Sequence, residues 1–236
     1  MKKLLSKLPP ANVYEKEYKY WPWGKLIDKI KEWVINNASE SSYIIDYMCG
    51  TGYLLNEIAT IRKDLKIEGC SITYEYIEYA KKRYPNIKVF LEDVIDFEPS
   101  SQPDIIIATG GLHHLDWNKQ KVFINKVSSE LASGKYFILG EELISSYNNK
   151  KARMLAVLEL SNNLIREVVN SNAPESVIEA AVDLLKTDLF ERGEYKTSLT
   201  VLIDILEANF TIETIEKIWP QNKEHFGDYI IILKRK

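Results

Sequence analysis

Tyr43-Ile44-Ile45-Asp46-Tyr47-Met48-Cys49-Gly50-Thr51-Gly52 decides how the chain is read. Its first half is a short apolar run of β-formers, predicting a buried strand. Two glycines then punctuate it. Leu54, Leu55, Ile58 and Ile61 follow at helical spacing. A strand that ends in a glycine-containing turn and opens a helix presents free backbone N–H groups to an anion. By itself the turn has two readings, a ligand loop or a plain structural turn.

Working outward, the same alternation repeats. Strands are predicted at Lys66–Ile72, Ile87–Leu91, Asp104–Ala108 and Tyr136–Leu139, with helices over about 74–83 and 119–131. Asp104-Ile105-Ile106-Ile107-Ala108 is nearly all apolar, as a strand covered on both faces should be. This alternation predicts an α/β fold with a parallel sheet and helices on both faces, joined by right-handed connections. Ligands then belong at the carboxyl ends of the strands, after Tyr47, Ile72, Leu91 and Ala108.

Upstream, residues 11–23 hold Tyr14, Tyr18, Tyr20, Trp21 and Trp23. A helix with Leu26, Ile27, Ile30, Trp33 and Val34 on one face follows Pro22, which suits a helix start. Downstream of Glu142 the pattern changes to two helices, about 148–170 and 174–190. Met154, Leu155, Leu158, Leu164, Ile165 and Val168 are expected to form the apolar face of the first. A third helix over about 198–208 precedes closing strands at Thr211–Trp219 and Tyr229–Leu233. The expected organisation is residues 1–38 as an aromatic N-terminal lid and helix, residues 39–142 with 195–236 as the sheet domain, and residues 143–194 as a helical cap insertion.

Composition narrows the function. The 236 residues carry 31 basic and 34 acidic side chains, a formal charge of −3. Such a balance does not suit a protein whose main partner is nucleic acid. At 45% hydrophobic and 28% charged residues, the chain has enough apolar content for a core. No run of about 20 apolar residues could span a bilayer. Cys49 and Cys70 form no scaffold of pairs and read as reduced thiols. Met1-Lys2-Lys3-Leu4-Leu5 imitates a signal n-region, but Lys7, Pro9 and Pro10 cut its apolar stretch short. A cytoplasmic location is expected.

The order of elements and motifs resembles the class I S-adenosylmethionine-dependent methyltransferases, in their small-molecule branch. The resemblance runs from about Tyr14 to the end and is weakest over 143–194. It implies a Rossmann-like, seven-stranded sheet whose last strand is antiparallel. Asp46 to Gly52 is similar to the family's glycine-rich donor loop, so Asp46, Met48, Cys49, Gly50 and Gly52 are implied to bind cofactor. Ser71 and Ile72 stand where the family's second strand ends and its acid holds the ribose. Asp93 and Val94 match the adenine-contacting motif. Thr109 and Gly110, in Asp104 to Leu115, match the fourth motif and line the methionine end. Tyr14 and Tyr20 occupy the place of a segment that closes over the donor, and Tyr18 and Trp21 that of an acceptor contact. Two positions depart from the family: Met48 replaces the first glycine, and Ser71 replaces the ribose-binding acid. A neutral hydroxyl in place of a carboxylate costs on the order of 1–2 kcal/mol of affinity.

The implied reaction is in-line methyl transfer from S-adenosylmethionine to an O, N or C atom of a small molecule. Alignment matters most for a sulfonium donor, and a base helps only if the acceptor must lose a proton. His113 and His114 are the base candidates; alternatively they only cap the turn. His113 and Glu141 are also candidate acceptor contacts. No metal is expected, since His113, His114 and Asp116 lack the spacing of a zinc site. The 143–194 helices would wall a pocket or form a homodimer seam. Nucleic acid and membrane are not expected partners. Two rival readings stand beside transfer: a cyclase or isomerase that uses S-adenosylmethionine without transferring from it, and a non-catalytic binding or scaffold protein. A nicotinamide dehydrogenase fits poorly, since the third glycine is missing.

Overall fold

The computed structural model describes residues 8–222 and 224–236; the reading of Met1–Leu5 and Lys7, and the start of the 1–38 segment, lie outside them. Chain order is α1 (Ala11–Tyr20), α2 (Trp23–Asn37), β1 (Tyr43–Tyr47), α3 (Tyr53–Ile61), β2 (Lys66–Ser71), α4 (Tyr74–Arg83), β3 (Lys88–Leu91), β4 (Ile105–Thr109), a short 3₁₀ turn (Leu112–His114), α5 (Trp117–Glu130), β5 (Tyr136–Leu143), α6 (Lys150–Asn170), α7 (Glu175–Leu189), α8 (Leu199–Leu206), β6 (Phe210–Trp219) and β7 (Gly227–Arg235). The seven strands form one sheet in the order β3-β2-β1-β4-β5-β7-β6. β1 to β5 run parallel, and β7 is antiparallel to both β5 and β6.

Side chains of successive strand residues leave on opposite faces, and the isoleucine runs divide accordingly. Ile44, Ile105 and Ile107 pack with Leu26, Ile30, Val34, Leu54 and Ile58 of α2 and α3. Ile45, Ile106 and Ala108 pack with Phe123, Ile124 and Val127 of α5 and with Leu202 and Leu206 of α8. Strand order reverses between β1 and β4, so their carboxyl ends diverge and leave a crevice there.

Two helical faces differ from expectation. Spacing in the 119–131 helix predicts Val122, Phe123, Val127 and Leu131 on one face; in α5 and its cap Phe123, Val127 and Leu131 are buried, Ile124 joins them, and Val122 is exposed. On α6 they are Arg153, Ala156, Val157, Leu160, Ser161, Leu164 and Val168, with Leu155 exposed. The α6 stripe begins at an arginine because Arg153 finds a buried partner in Asp188 of α7, 3.1 Å away. The 11–20 stretch is helical despite lacking a clear aliphatic stripe. α1 is held to α4 by Tyr79 Oη and Tyr84 Oη, which donate to the two Glu15 oxygens at 2.9 and 2.8 Å, and by Tyr76 Oη donating to Pro9 O at 2.9 Å. Among the described residues no helix is long and apolar enough to cross a membrane.

Candidate active site

Two cavities open at the carboxyl end of the sheet. The smaller, about 110 Å³, is lined by Met48 and Gly50 after β1, Ser71 and Ile72 after β2, Asp93 and Val94 after β3, Gly110 after β4, and Tyr14 of α1. Eight residues proposed from sequence as cofactor contacts therefore meet in one place. Thr73, Tyr76, Gly111 and Leu115 join them; Gly111 and Leu115 lie within the fourth motif, though neither was singled out as a contact. The larger cavity, about 660 Å³, lies between α1, α7 and the ends of β4 and β5, and Thr109, His113, His114 and Trp21 line it. Its volume falls within the range of small-molecule sites, roughly 300–1,000 Å³. Leu8, Tyr14, Gly110 and His114 line both spaces, which thus share a wall.

The other proposed residues lie elsewhere. Asp46 is buried beneath the donor loop. Cys49 packs with Leu55, Ile77 and Ala80, its sulfur directed at Gly69 and away from the cleft. Gly52 opens α3 at φ +75°, a left-handed backbone that favours glycine, and a Cβ there would also push Ile87 Cδ1, 2.5 Å away, aside. Tyr18 stacks on Tyr53 at 4.3 Å, and Tyr20 packs in the α6–α7 cluster; neither lines a cavity. Glu141 lies behind His113 and lines neither cavity. Asp116 caps α5 by accepting from the Asn118 and Lys119 amides. His225 is exposed.

Met48 holds φ +66° and Gly50 φ +53°. The loop after β1 thus keeps a left-handed turn at a position that carries a side chain, at a cost on the order of 1 kcal/mol. The Met48 side chain rests against Gly111, where a Cβ would sit 2.5 Å from its sulfur. Gly50 lies under Tyr14, which stacks on Tyr76 at 4.8 Å. Several buried polar atoms here have no partner: Asp46 Oδ1, Thr109 Oγ1, Glu17 Oε1 and Trp21 Nε1. Buried polar groups are normally paired, so their concentration at this end of the sheet fits a cleft built for a polar ligand.

A buried charged cluster forms the floor of the larger cavity. His113 Nδ1 bonds Glu141 Oε1, its Nε2 lies 3.4 Å from Glu194 Oε2, and His114 Nδ1 lies 3.2 Å from Glu194 Oε1. Lys196, fully buried, contacts Glu142, Asp188 and Glu194 at 3.1, 3.1 and 3.2 Å. Burial disfavours a charged His113, but the Glu141 and Glu194 carboxylates outweigh it and push its pKa up to about 8. Burial likewise opposes charge on Lys196 and Glu194. For Lys196 the carboxylates of Asp188, Glu194 and Glu142 prevail and raise its pKa. For Glu194, Lys196 and the two histidines prevail and hold it well below the usual range. Asp228, buried and facing Glu142 and Glu141, is raised. Sequence reasoning missed Glu194, Lys196 and Asp228. They lie far along the chain from His113, and only the fold brings them there.

Comparison with known proteins accords with this geometry. Residues 44–134 match the family described as "Methyltransferase domain". A Carboxy-S-adenosyl-L-methionine synthase of Campylobacter fetus subsp. fetus is 31% identical over 131 residues, 54% of this chain and 54% of that protein. The chain thus spans about half the length of that curated relative. Among solved structures, magnesium protoporphyrin IX methyltransferase (ChlM) from Synechocystis PCC 6803, with bound S-adenosylhomocysteine, superposes with TM-score 0.64 at 13% identity, over 95% of this chain and 94% of that one. N-methyltransferase NodS from Bradyrhizobium japonicum WM9, in complex with S-adenosylhomocysteine, gives 0.60 at 13% identity, over 95% and 98%. Fold and site define the class: a Rossmann-like, class I methyltransferase sheet with an antiparallel last strand. Within it, residues 44–134 are the part that matches the methyltransferase-domain family.

Proposed function

We propose that the chain transfers a methyl group from S-adenosylmethionine to a small-molecule acceptor seated in the cavity of about 660 Å³. The observation that carries this reading is the shared wall. The acceptor space abuts the cofactor cleft at Gly110, His114 and Tyr14, where a methyl would have to cross. When bound, S-adenosylmethionine supplies a methyl already activated on a sulfonium. The chain then has to align the partners at near-contact distance and exclude water. In this reading Asp93 and Val94 hold the adenine, Ser71 the ribose, and the Met48–Gly50 loop the amino-acid part. Gly110 lines the methionine end, while Thr109, expected there from sequence, faces the larger cavity. Tyr14 closes over the donor, where its ring face suits a cation. Trp21 contacts the acceptor, while His113 and His114 face the atom to be methylated.

Calorimetric titration with S-adenosylmethionine and S-adenosylhomocysteine tests this. Micromolar affinity, about −8 kcal/mol, is expected for the parent chain, with a loss of about tenfold in Asp93→Ala. Absence of binding to both ligands overturns the reading. Acceptor screening by mass should then find products heavier by one CH₂.

The curated relative's name favours a second reading, in which S-adenosylmethionine is itself the substrate and is modified. Recovery of an altered S-adenosylmethionine with no methylated acceptor would favour this second reading.

A further inference from the structure

We propose that His113, His114 and Glu194 bind one divalent first-row transition cation on the floor of the large cavity. One ligand atom from each lies within 4.8 Å of the others. The His113 Nε2–Glu194 and His114 Nδ1–Glu194 separations are 3.4 and 3.2 Å. Ligand atoms on a tetrahedral ion with bonds near 2.1 Å stand about 3.4 Å apart; each histidine already stands at about that distance from one oxygen of Glu194, and small side-chain shifts would close the three donors round one ion. Two imidazoles and a carboxylate favour zinc, iron or cobalt over magnesium.

Two further features point the same way. Glu141 takes the Nδ1 side of His113 and leaves Nε2 toward Glu194; a carboxylate behind a ligand histidine is the usual orienting partner in metal sites. His114 Nδ1 also lies 3.3 Å from the Gly193 carbonyl, a further oxygen beside the site. His113, His114 and Glu194 all line the cavity, so open coordination positions face the acceptor.

The consequence for substrate rests on the methyl-transfer reading, whereas cation binding does not. An acceptor hydroxyl that coordinates there loses its proton to water more readily. Its oxygen then forms the O–CH₃ bond as the S–CH₃ bond breaks and the electron pair stays on sulfur. The acceptor class is a hydroxylated small molecule.

The test uses the full chain freed of metal by dialysis against a chelator. Co²⁺ is followed by visible absorption and Zn²⁺ by calorimetry. One equivalent should bind, and His114→Ala and Glu194→Gln should each weaken binding at least tenfold. Glu194 also holds Lys196, so a poorly folded Glu194→Gln leaves His114→Ala, checked by its melting curve, to decide. No Co²⁺ band, or equal binding by parent and His114→Ala, overturns the site. Titration with S-adenosylhomocysteine separates the two claims. Binding of that ligand without Co²⁺ binding overturns the metal site alone. Co²⁺ binding without S-adenosylhomocysteine binding overturns methyl transfer and keeps the metal site.

Discussion

Asp46, next to last in β1, is 3% exposed and carries a carboxyl group with one oxygen unpartnered. Burial raises its pKa well above the carboxylate norm. A carboxyl whose folded pKa is raised costs nothing below its unfolded pKa of about 4; the cost grows as pH climbs toward the folded value and then stays constant. Asp46→Asn in the ligand-free chain should therefore raise the melting temperature at pH 8 and change it little at pH 4. Equal shifts at both would show that the charge is not the cause. Arg153 has the opposite dependence on its partner. Arg153→Met leaves Asp188 buried with one cation fewer, and breaking a buried pair costs about 3–5 kcal/mol; chemical denaturation would measure it. That the glycine-containing loop, Ser71 and Asp93 meet at one cavity was legible from sequence because each motif is local to one strand end. Glu194 and Lys196 were not, since their partners join them only through the fold.

Among the elements, α1 and the residues just before it are tied to α4 by hydrogen bonds through Glu15, Tyr79, Tyr84, Tyr76 and Glu75, all at partly buried positions, where hydrogen bonds contribute about 1 kcal/mol each. Glu15→Ala should speed tryptic cutting at Lys16 and Lys19 while leaving the global melt nearly unchanged; a large fall in melting temperature would show α1 to be part of the cooperative core. Leu160, 1% exposed in the α6 core, is expected to cost about 2–5 kcal/mol on truncation to Ala. Strands and their order of appearance were legible because parallel strands buried on both faces read as uninterrupted isoleucine runs. The α6 face was misread because periodicity arguments place arginine outside, and here its guanidinium has a buried acid to meet.

Across the whole molecule, ligand binding and stability are linked. S-adenosylhomocysteine at a hundred times its dissociation constant should stabilise the folded chain by about 2.7 kcal/mol. For a chain of 236 residues that corresponds to roughly 5–10 °C in melting temperature. Scanning calorimetry with and without the ligand checks it, and an unchanged transition counts against the proposed cofactor.

Lys196 gathers side chains from three places: Glu142 at the end of β5, Asp188 in the last turn of α7, and Glu194 in the following loop. Arg153 extends the knot to α6. The helical pair is therefore riveted to the sheet by charge as well as by apolar packing. A chimera that replaced residues 143–194 with the corresponding helices of a distant relative would leave Lys196 without Asp188 and Glu194. To fold, such a graft must carry the whole knot or remove Lys196 as well.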